Sequence, residues 1–529
     1  MKRAEGSVTF FLFFLLILVF TGCGSGSAEK SLNAGTPSIP PMPASTSLKM
    51  IDDESFNALS EEDRIYVAKK LYTTFYKGKD INALKSEIDS GKFISDFWIK
   101  LHSSNVPQPD LDKIYQDTYT IPYEARAGDR LFEKRWRVFS HIASTLYYTK
   151  LSLDFYNEWM AYVMEQTILF SPAYEVESVT PFPELIASNH ERIVRDLKAG
   201  RSIKDLVLNH MKSKENWARF RSPEDNGREM LEIWLYDYED RHVPLAAKAL
   251  KNWRWELRRE KNAEGKYGDI YRFYNDANNK DQMNTEGVEL LGKTIVTGSD
   301  FYKAVVEHPQ FLPTVIDRLV NCFFPTLPSD EKRSIAEAIE KTKPTTFREI
   351  FDRIIFSKKF LFESNRLKNL EEIYMGLAHL LDMEPDGTTF RYLFTDGMKN
   401  SNQLPLTYKL GRPDEGVSDS DSVIRMHQYV RTNIFLNRRG SRGWNSATLR
   451  QRYSGTTLEA YLDDMFLDIV GRKMSDSEKQ ELVSLAEDAG VSDVSNKKGW
   501  NRFAVMLVTF DYFSRLSEIY TYRKAGVEK

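Results

Sequence analysis

Short polar sequences that start helices recur along this chain, and apolar residues at helical spacing follow each of them. The clearest are Ser-Glu-Glu-Asp at 60–63, Thr-Phe-Arg-Glu at 346–349 and Ser-Asp-Ser-Glu at 475–478. In each, Ser or Thr precedes an acidic residue by three positions, which matches a capping box. Alternating strand patterns are scarce. The sequence therefore predicts an all-α fold, a large multi-helical globular body over residues 50–525.

Two segments interrupt this helical pattern. Residues 267–298 are polar and rich in Asn and Gly, and residues 411–443 begin acidic and end basic. Both are predicted to be long irregular segments, which in compact domains are often functional. The length of the body allows one large or two ordinary domains. Two helical lobes over 50–265 and 290–525 are one possible division.

The first 23 residues predict an export signal. Lys2 and Arg3 precede an apolar run from residue 8 to residue 20, and Cys23 follows after two small residues. The run is too short for a spanning helix, which needs about 20 apolar residues. We expect a lipoprotein signal peptide over residues 1–22 and acyl chains such as palmitate on Cys23. An uncleaved anchor or ordinary cleavage nearby is the alternative, since Phe20 replaces the usual Leu.

The residues after Cys23 predict a tether and a location. Residues 23–49 are rich in Gly, Ser and Pro and nearly lack large apolar side chains, a composition typical of a flexible, disordered linker. The Asp that retains lipoproteins in the inner membrane is absent after Cys23. We therefore expect lipid anchoring in the bacterial envelope, at the outer membrane, on its periplasmic or surface face.

Composition excludes several functional classes. The chain has 73 basic and 76 acidic residues, a net charge of −3, which gives no case for nucleic acid as a partner. Cys23 and Cys322 are the only cysteines, so an acylated Cys23 leaves no disulfide and no cysteine metal site. Aromatic residues make up 13% of the chain and are expected mainly in the core.

No motif for a metal or a cofactor stands out, and none of either is predicted. The eight histidines are scattered without metal-ligand spacing. The sequence Asp-Met-Glu-Pro-Asp-Gly at 382–387 is similar to the first half of a calcium loop. Its twelfth position is Leu393, where that loop needs a bidentate Glu. We expect a helix-ending turn there.

Four segments between about residues 150 and 450 resemble a known family. They are Arg-Glu-Met-Leu-Glu-Ile at 228–233, Ala-Lys-Ala-Leu-Lys-Asn-Trp at 247–253, His308-Pro309 with Arg318-Leu319 and Phe323-Phe324 after it, and Ile-Phe-Ser-Lys-Lys-Phe at 355–360. In this order they are similar to exported bacterial proteins grouped as domain of unknown function number 1800.

The resemblance implies a large helical fold and export, and it supplies no established activity. Members of that family are often encoded beside exported proteins that resemble alkaline phosphatases or sulfatases, which implies a protein partner of that kind. The chain departs from the family at two places. It has Pro-Glu-Asp at 223–225 where the family has Asn-Glu-Asn, and Met283-Asn284 near the family's His-Asp.

The candidate polar site lies in the first of those segments. Glu224, Arg228 and Glu232 are spaced to share one helical face, where Arg228 can pair with either carboxylate. We predict an inner ion-pair network. The alternative is a buried polar site in which Glu229 or Glu232 performs acid–base chemistry. The other candidate residues are a predicted core tryptophan and two family-motif residues: Trp253, His308 and Arg318.

Two functions are compatible with these observations, and catalysis stays open. The favoured one is a non-enzymatic envelope lipoprotein, a scaffold or binding module for an exported partner, that meets the membrane through its lipid anchor. The alternative is a hydrolase acting on an envelope polymer or sugar through carboxylate acid and base. That chemistry requires two carboxyl groups roughly 5–9.5 Å apart across a cleft.

Overall fold

The three predicted helix starts are confirmed in the computed structural model of the chain. Ser60, Thr346 and Ser475 are N-caps, and the side-chain oxygen of each accepts a hydrogen bond from the backbone N–H three residues later. Such a bond satisfies one of the donors that a helix leaves open at its first turn. Helices account for 62% of the residues and the strands are short. The all-α prediction is therefore confirmed.

The structure describes residues 39–110, 131–169, 171–172, 184–220, 222–261, 265, 267–278, 286–406, 420–436 and 443–522. From Ile39 onward the chain belongs to one compact unit. The predicted signal peptide and Cys23 lie outside the described residues. The division into lobes 50–265 and 290–525 stays a prediction.

The first half of this unit is made of helices and one β-hairpin. Its elements are α1 (Asp53–Asn57), α2 (Glu61–Thr74), α3 (Ile81–Ile88), α4 (Phe93–His102), α5 (Leu131–Tyr148), α6 (Leu153–Thr167), α7 (Glu184–Lys198), α8 (Ile203–Met211), α9 (Lys214–Arg219), α10 (Pro223–Leu235), α11 (Val243–Leu250), β1 (Arg254–Lys261) and β2 (Tyr267–Tyr274).

The second half begins with a short hairpin and is then helical. Its elements are β3 (Val288–Leu290), β4 (Lys293–Ile295), α12 (Gly298–Glu307), α13 (Phe311–Phe323), α14 (Ser329–Glu340), α15 (Phe347–Ile355), α16 (Lys358–Glu363), α17 (Leu370–Leu380), α18 (Gly387–Tyr392), a π-helical turn π1 (Leu393–Met398), α19 (Ser420–Val430), a second such turn π2 (Arg431–Phe435), α20 (Ser446–Arg452), α21 (Leu458–Ile469), α22 (Asp476–Asp488), α23 (Trp500–Phe513) and α24 (Ser517–Tyr520).

The prediction that residues 267–298 are irregular is wrong for the part that is described. β2 pairs antiparallel with β1, with Arg254 opposite Tyr274 and Lys261 opposite Tyr267. β3 and β4 form a second antiparallel pair. The aromatic and β-branched residues of β2 favour a strand, and the Asn and Gly residues around them obscured that signal.

The prediction that residues 411–443 are irregular is also wrong for residues 420–436. These form α19 and π2, and Met426, Val430 and Ile434 are buried at helical spacing. The Asp-rich sequence at 382–387 is a turn as predicted. Asp382 has a positive φ of 52° after α17, and the side chain of Asp386 caps α18 by accepting from the N–H of Thr389.

The core is rich in aromatic side chains, as predicted from composition. The ring of Phe75, the residue directly after α2, lies 4.9 Å from that of Trp159, 5.7 Å from Tyr156 and 5.8 Å from Phe97, measured between centroids. Phe75, Tyr156, Trp159 and Phe97 are almost completely buried. Aromatic pairs in such tilted and edge-on arrangements stabilise a core beyond the area that they bury.

Part of the predicted linker packs against the body. Leu48 is buried, and Trp98 donates its indole N–H to the carbonyl oxygen of Pro40 at 2.8 Å. Lys358 donates its backbone N–H to the carbonyl of Lys49. The prediction of a disordered linker is therefore wrong for residues 39–49, because apolar contacts and backbone hydrogen bonds hold them. No helix in the described ranges is long and apolar enough to span a bilayer.

Cations from distant elements bind the last carbonyl groups of several helices. The ammonium of Lys70 donates to the carbonyl oxygens of Phe360 and Ser364 at the end of α16, both at 2.6 Å. Lys77 donates to those of Tyr147 and Thr149 at the end of α5, both at 2.7 Å. The C-terminal carbonyls of a helix lack partners and carry partial negative charge. Buried cations therefore connect helices in this fold.

Candidate functional site: a lysine-lined cleft

The predicted ion-pair face of α10 lies at the protein surface. Glu224 and Arg228 are exposed, and Glu232 is only half-buried. Within the described residues, no ion pair links Arg228 to Glu224 or Glu232. The prediction of an inner network is wrong, because a different side of the helix packs inward. That side carries Asn226, Gly227, Met230, Leu231, Ile233 and Trp234.

Glu229, the other proposed acid–base group, is half-buried beside this face. Burial raises its pKa, and the nearby charges of Asp225 and Glu232 act in the same direction, while Arg219 and Arg228 oppose them. A half-buried carboxyl group with a raised pKa is not by itself the two-carboxylate cleft that the predicted hydrolase requires.

Trp253 is buried as predicted, and His308 and Arg318 are structural. Trp253 donates its indole N–H to Asp276 at 2.8 Å. The ring nitrogen Nδ1 of His308 accepts from the backbone N–H of Gln310 at 3.2 Å, in the turn after α12. The Arg318 guanidinium binds backbone carbonyls at the end of α10. The predicted site residues therefore do not converge on one site.

A cleft that sequence reasoning missed lies elsewhere, between α2, α17 and the chain around α21 and α24. It is partly open, and its empty space, including open solvent at the mouth, is about 750 Å³. Gly78 lets the segment after α2 approach α17, since a Cβ there would overlap the carbonyl oxygen of Gly376. The residues that characterise its lining are Lys69, Lys70, Lys77, Lys79, Lys368, Tyr66, Tyr72, Tyr522, Ile373, Leu377 and Ile519.

Two of the five lysines are fully engaged in holding the fold. Lys70 and Lys77 each donate to three carbonyl oxygens, which uses all the donors of an ammonium. Burial lowers the pKa of both, and the charge of Arg366 lowers that of Lys70 further. Their aliphatic stems line the cleft, and their ammonium groups bind the carbonyl oxygens at the ends of α16 and α5.

Lys69 and Lys368 keep unused donors. The ammonium of Lys368 donates to the carbonyl oxygen of Glu518 at 2.6 Å, and that of Lys69 donates to the carbonyl oxygen of Asp468. Each therefore makes one hydrogen bond within the described part of the chain. Burial lowers the pKa of Lys368 to about 8, and the charges of Lys69 and Arg366 also lower it.

The carboxylates at the cleft are already paired with arginines. Glu372 receives two hydrogen bonds from Arg366, at 2.6 and 2.9 Å. Glu518 lies 2.6 Å from Nε of Arg472. Bidentate and charge-assisted pairs of this kind are the strong ones. The acidic groups near Lys368 are therefore largely neutralised by arginine.

A second polar cluster joins α6 and α7. The imidazole of His190 lies between two carboxylates, with Nδ1 at 2.7 Å from Glu165 and Nε2 at 3.1 Å from Glu158. Burial lowers the pKa of His190, but the charge of Glu165 and hydrogen bonds with both glutamates outweigh it and raise the pKa to about 10. Asn189 donates to the other oxygen of Glu165 at 2.8 Å. This histidine is positively charged at neutral pH.

The His190 cluster opens into a surface depression. His141, Glu158, His190, Glu191, Arg195 and Lys198 line it. Burial raises the pKa of Glu158, but the hydrogen bond and the charge of His190, together with the charge of Lys198, outweigh it, so the net shift is downward. The pKa of Glu191 is raised, mainly by burial. Two carboxyl groups with opposite pKa shifts therefore share this depression.

Comparison with known proteins identifies no relative of this chain. No family model, no curated protein and no solved structure matches it. The resemblance to domain of unknown function number 1800 stays a prediction.

Proposed function

We propose that this chain is a non-enzymatic binding protein of the bacterial envelope, anchored by acyl chains on Cys23, and that it takes its ligand in the lysine-lined cleft. The cleft is the observation that carries this proposal. Its walls come from segments as distant as Tyr66 and Tyr522, and it combines apolar and aromatic side chains with a few convergent polar groups. Small-molecule sites in proteins have this composition.

A cleft-filling variant tests the proposal. A Cβ on Gly376 would lie 3.6 Å from the nearest atom, the carbonyl oxygen of Lys77, which is ordinary contact. Gly376→Leu therefore adds volume at the cleft from a position that has room for a Cβ, and leucine is a better helix former than glycine. A melting temperature close to that of wild type is required of this variant before its binding is compared. Gly376→Ala adds a single methyl group and is the matched control.

The full chain, isolated with its anchor in mild detergent, is exposed to small-molecule extract of the bacterial envelope, and bound compounds are identified by mass spectrometry. We expect wild type and Gly376→Ala to retain a compound that Gly376→Leu does not retain. Identical bound compounds on all three proteins, or none on wild type, would refute binding in the cleft.

A protein partner is a further part of the proposal. The resemblance implies an exported partner similar to phosphatases or sulfatases. Crosslinking in intact cells, followed by purification of the anchored chain, tests it. Enrichment of one exported protein of that kind with the wild-type chain, absent when the chain is deleted, is the expected result.

The depression at His190 favours a second candidate function, hydrolysis of an envelope polymer or sugar. Glu158 and Glu191 line it together, and the pKa of one is lowered while that of the other is raised. An acid and a base are separated in this way in two-carboxylate hydrolases. This pair replaces the carboxylates near Arg228 that the sequence suggested.

Release of reducing ends from purified envelope polysaccharide measures this activity. Glu158→Gln and Glu191→Gln should each abolish it, while Glu340→Gln, at an exposed position, should not. A wild-type chain without activity on such polymers, or a fully active Glu158→Gln variant, would exclude the hydrolase.

A further inference from the structure

The cleft contains more donor capacity than the protein itself uses. An ammonium group has three N–H bonds, and the ammonium groups of Lys69 and Lys368 each make one hydrogen bond, to the carbonyl oxygens of Asp468 and Glu518. Among the residues that the structure describes, no acceptor binds the other two N–H groups of either lysine. The nearest carboxylate oxygen to Lys69 lies 4.0 Å away, on Asp468, beyond hydrogen-bond distance.

The charges of these two lysines are only partly balanced by nearby carboxylates. The groups that act on Lys368 are Glu372 and Glu518, which favour its charged form, and Lys69 and Arg366, which oppose it. Arg366 pairs with Glu372, and Glu518 pairs with an arginine outside this set. Asp468, 4.0 Å away, and Asp80 favour the charged form of Lys69, but an arginine also binds Asp468. Lys69 and Lys368 therefore repel each other while they share their nearest carboxylates with arginines.

Glu372, Glu518 and Lys79 also line the cleft, and much of the remaining lining is apolar or aromatic. Ile373, Leu377 and Ile519 contribute aliphatic surface, and Tyr72 and Tyr522 contribute rings. Both tyrosines are buried. A ligand that satisfies this lining must combine a charged head with an apolar body.

We infer that the cleft binds a small organic oxyanion, whose phosphate or carboxylate head lies between the ammonium groups of Lys69 and Lys368 and whose apolar body lies along Ile373 and Leu377. This inference rests on the proposed function and names the ligand class. Oxygen atoms of the head accept hydrogen bonds from the four unused N–H groups, and their negative charge relieves the repulsion between the lysines. Charge-assisted bonds of this type are about twice as strong as neutral ones.

Binding is accompanied by proton uptake. The free protein has a Lys368 pKa of about 8, and an anion beside an ammonium raises the pKa of that ammonium. Near pH 8.5 a substantial fraction of Lys368 is neutral before binding and becomes charged on binding. We expect affinity for the anion to fall as pH rises above 8.

Calorimetry of the full chain with phenyl phosphate, and with benzyl alcohol as a neutral probe, tests the inference. Wild type should bind phenyl phosphate and take up protons at pH 8.5, seen as a dependence of the heat on the buffer. Loss of a hydrogen bond to a charged group corresponds to about tenfold or more in affinity. Lys368→Met and Lys69→Met should each weaken binding by that factor.

Lys368→Arg retains the charge and should restore most of the affinity. Lys303→Met, which removes an exposed lysine, is the matched control and should bind like wild type. The Arg variant also separates loss of charge from loss of folding, since it retains the hydrogen-bonding cation at this position.

Two results would overturn the inference. Wild type that does not bind phenyl phosphate excludes the oxyanion class. The second result is that benzyl alcohol and phenyl phosphate bind with equal affinity, and that Lys368→Met and Lys69→Met leave both affinities unchanged. That result would exclude an oxyanion ligand but would still be compatible with a small-molecule site in the cleft. Gly376→Leu distinguishes a failure of the proposed function from a failure of this inference. It should prevent any ligand from binding in the cleft, whereas the lysine variants should weaken only the binding of an anion.

Discussion

Arg318 and Glu232 meet through a guanidinium nitrogen and a backbone oxygen. Nη2 of Arg318 lies 3.0 Å from the carbonyl oxygen of Glu232, and Nε lies 2.7 Å from that of Ile233. The guanidinium also lies 4.7 Å from the ring of Tyr236. Arg318 therefore serves as the cation at the C-terminus of α10, and the carboxylate of Glu232 takes no part.

Arg318→Ala should destabilise the protein by about 1–3 kcal/mol, because it removes the guanidinium donor from the carbonyl oxygens of Ile233 and Glu232. The oxygen of Glu232 still accepts from the backbone N–H of Tyr236, so the loss falls mainly on Ile233. Arg228→Ala is the control and should change the free energy of unfolding by less than about 0.5 kcal/mol, since Arg228 is exposed. Chemical denaturation measures both. A larger loss for Arg228→Ala than for Arg318→Ala would restore the predicted ion-pair network.

The positions of Glu224, Arg228 and Glu232 show what helical spacing can and cannot predict. Their shared face follows from the geometry of a helix. Which face points inward depends on the neighbouring helix. Gly227 approaches α11 so closely that a Cβ would lie 2.8 Å from that of Ala246. Small and polar residues thus form part of the buried side, and the apolar pattern alone does not reveal this.

Helix starts were predictable because a cap is formed by residues three positions apart. The cleft was only partly predictable. Lys70 lies in α2 and Lys77 lies three residues after its end, within a largely buried stretch. Cations at such positions indicate buried polar contacts. Lys368, by contrast, meets Glu518 across 150 residues of sequence. A single sequence contains no local signal for that contact.

Lys70→Ala should destabilise the protein by at least about 3 kcal/mol, since it removes packing and leaves buried carbonyl oxygens of α16 without donors. Lys303→Ala, at an exposed lysine, should stay within about 0.5 kcal/mol of wild type. Thermal and denaturant unfolding measure the two changes. A Lys70→Ala protein as stable as the control would show that these carbonyls find other donors.

Cys23→Ser should abolish labelling by a clickable palmitate analogue in cells and move the chain out of the membrane fraction, because stable anchoring depends on the acyl chains. Cys322→Ser is the matched control. Its thiol is buried, so labelling and fractionation should be unchanged. Acyl labelling that persists in Cys23→Ser would disprove the predicted anchor.

His190 should make stability depend on pH on the alkaline side. Its pKa is raised from 6.5 to about 10 in the folded protein, so the folded state holds a proton that the unfolded state releases. The stabilisation is complete below pH 6.5 and is lost as pH rises towards 10. The difference in unfolding free energy between wild type and His190→Gln should therefore be large at pH 6 and small near pH 10.

A double-mutant cycle with Glu165→Gln assigns that effect to the buried pair. Nδ1 of His190 lies 2.7 Å from Glu165, so the coupling free energy of the two positions should be favourable at pH 6 and shrink as the imidazolium loses its proton. Background titration of other groups is common to all four proteins and cancels in the cycle. A coupling free energy that stays constant between pH 6 and pH 10 would show that His190 is uncharged in the fold.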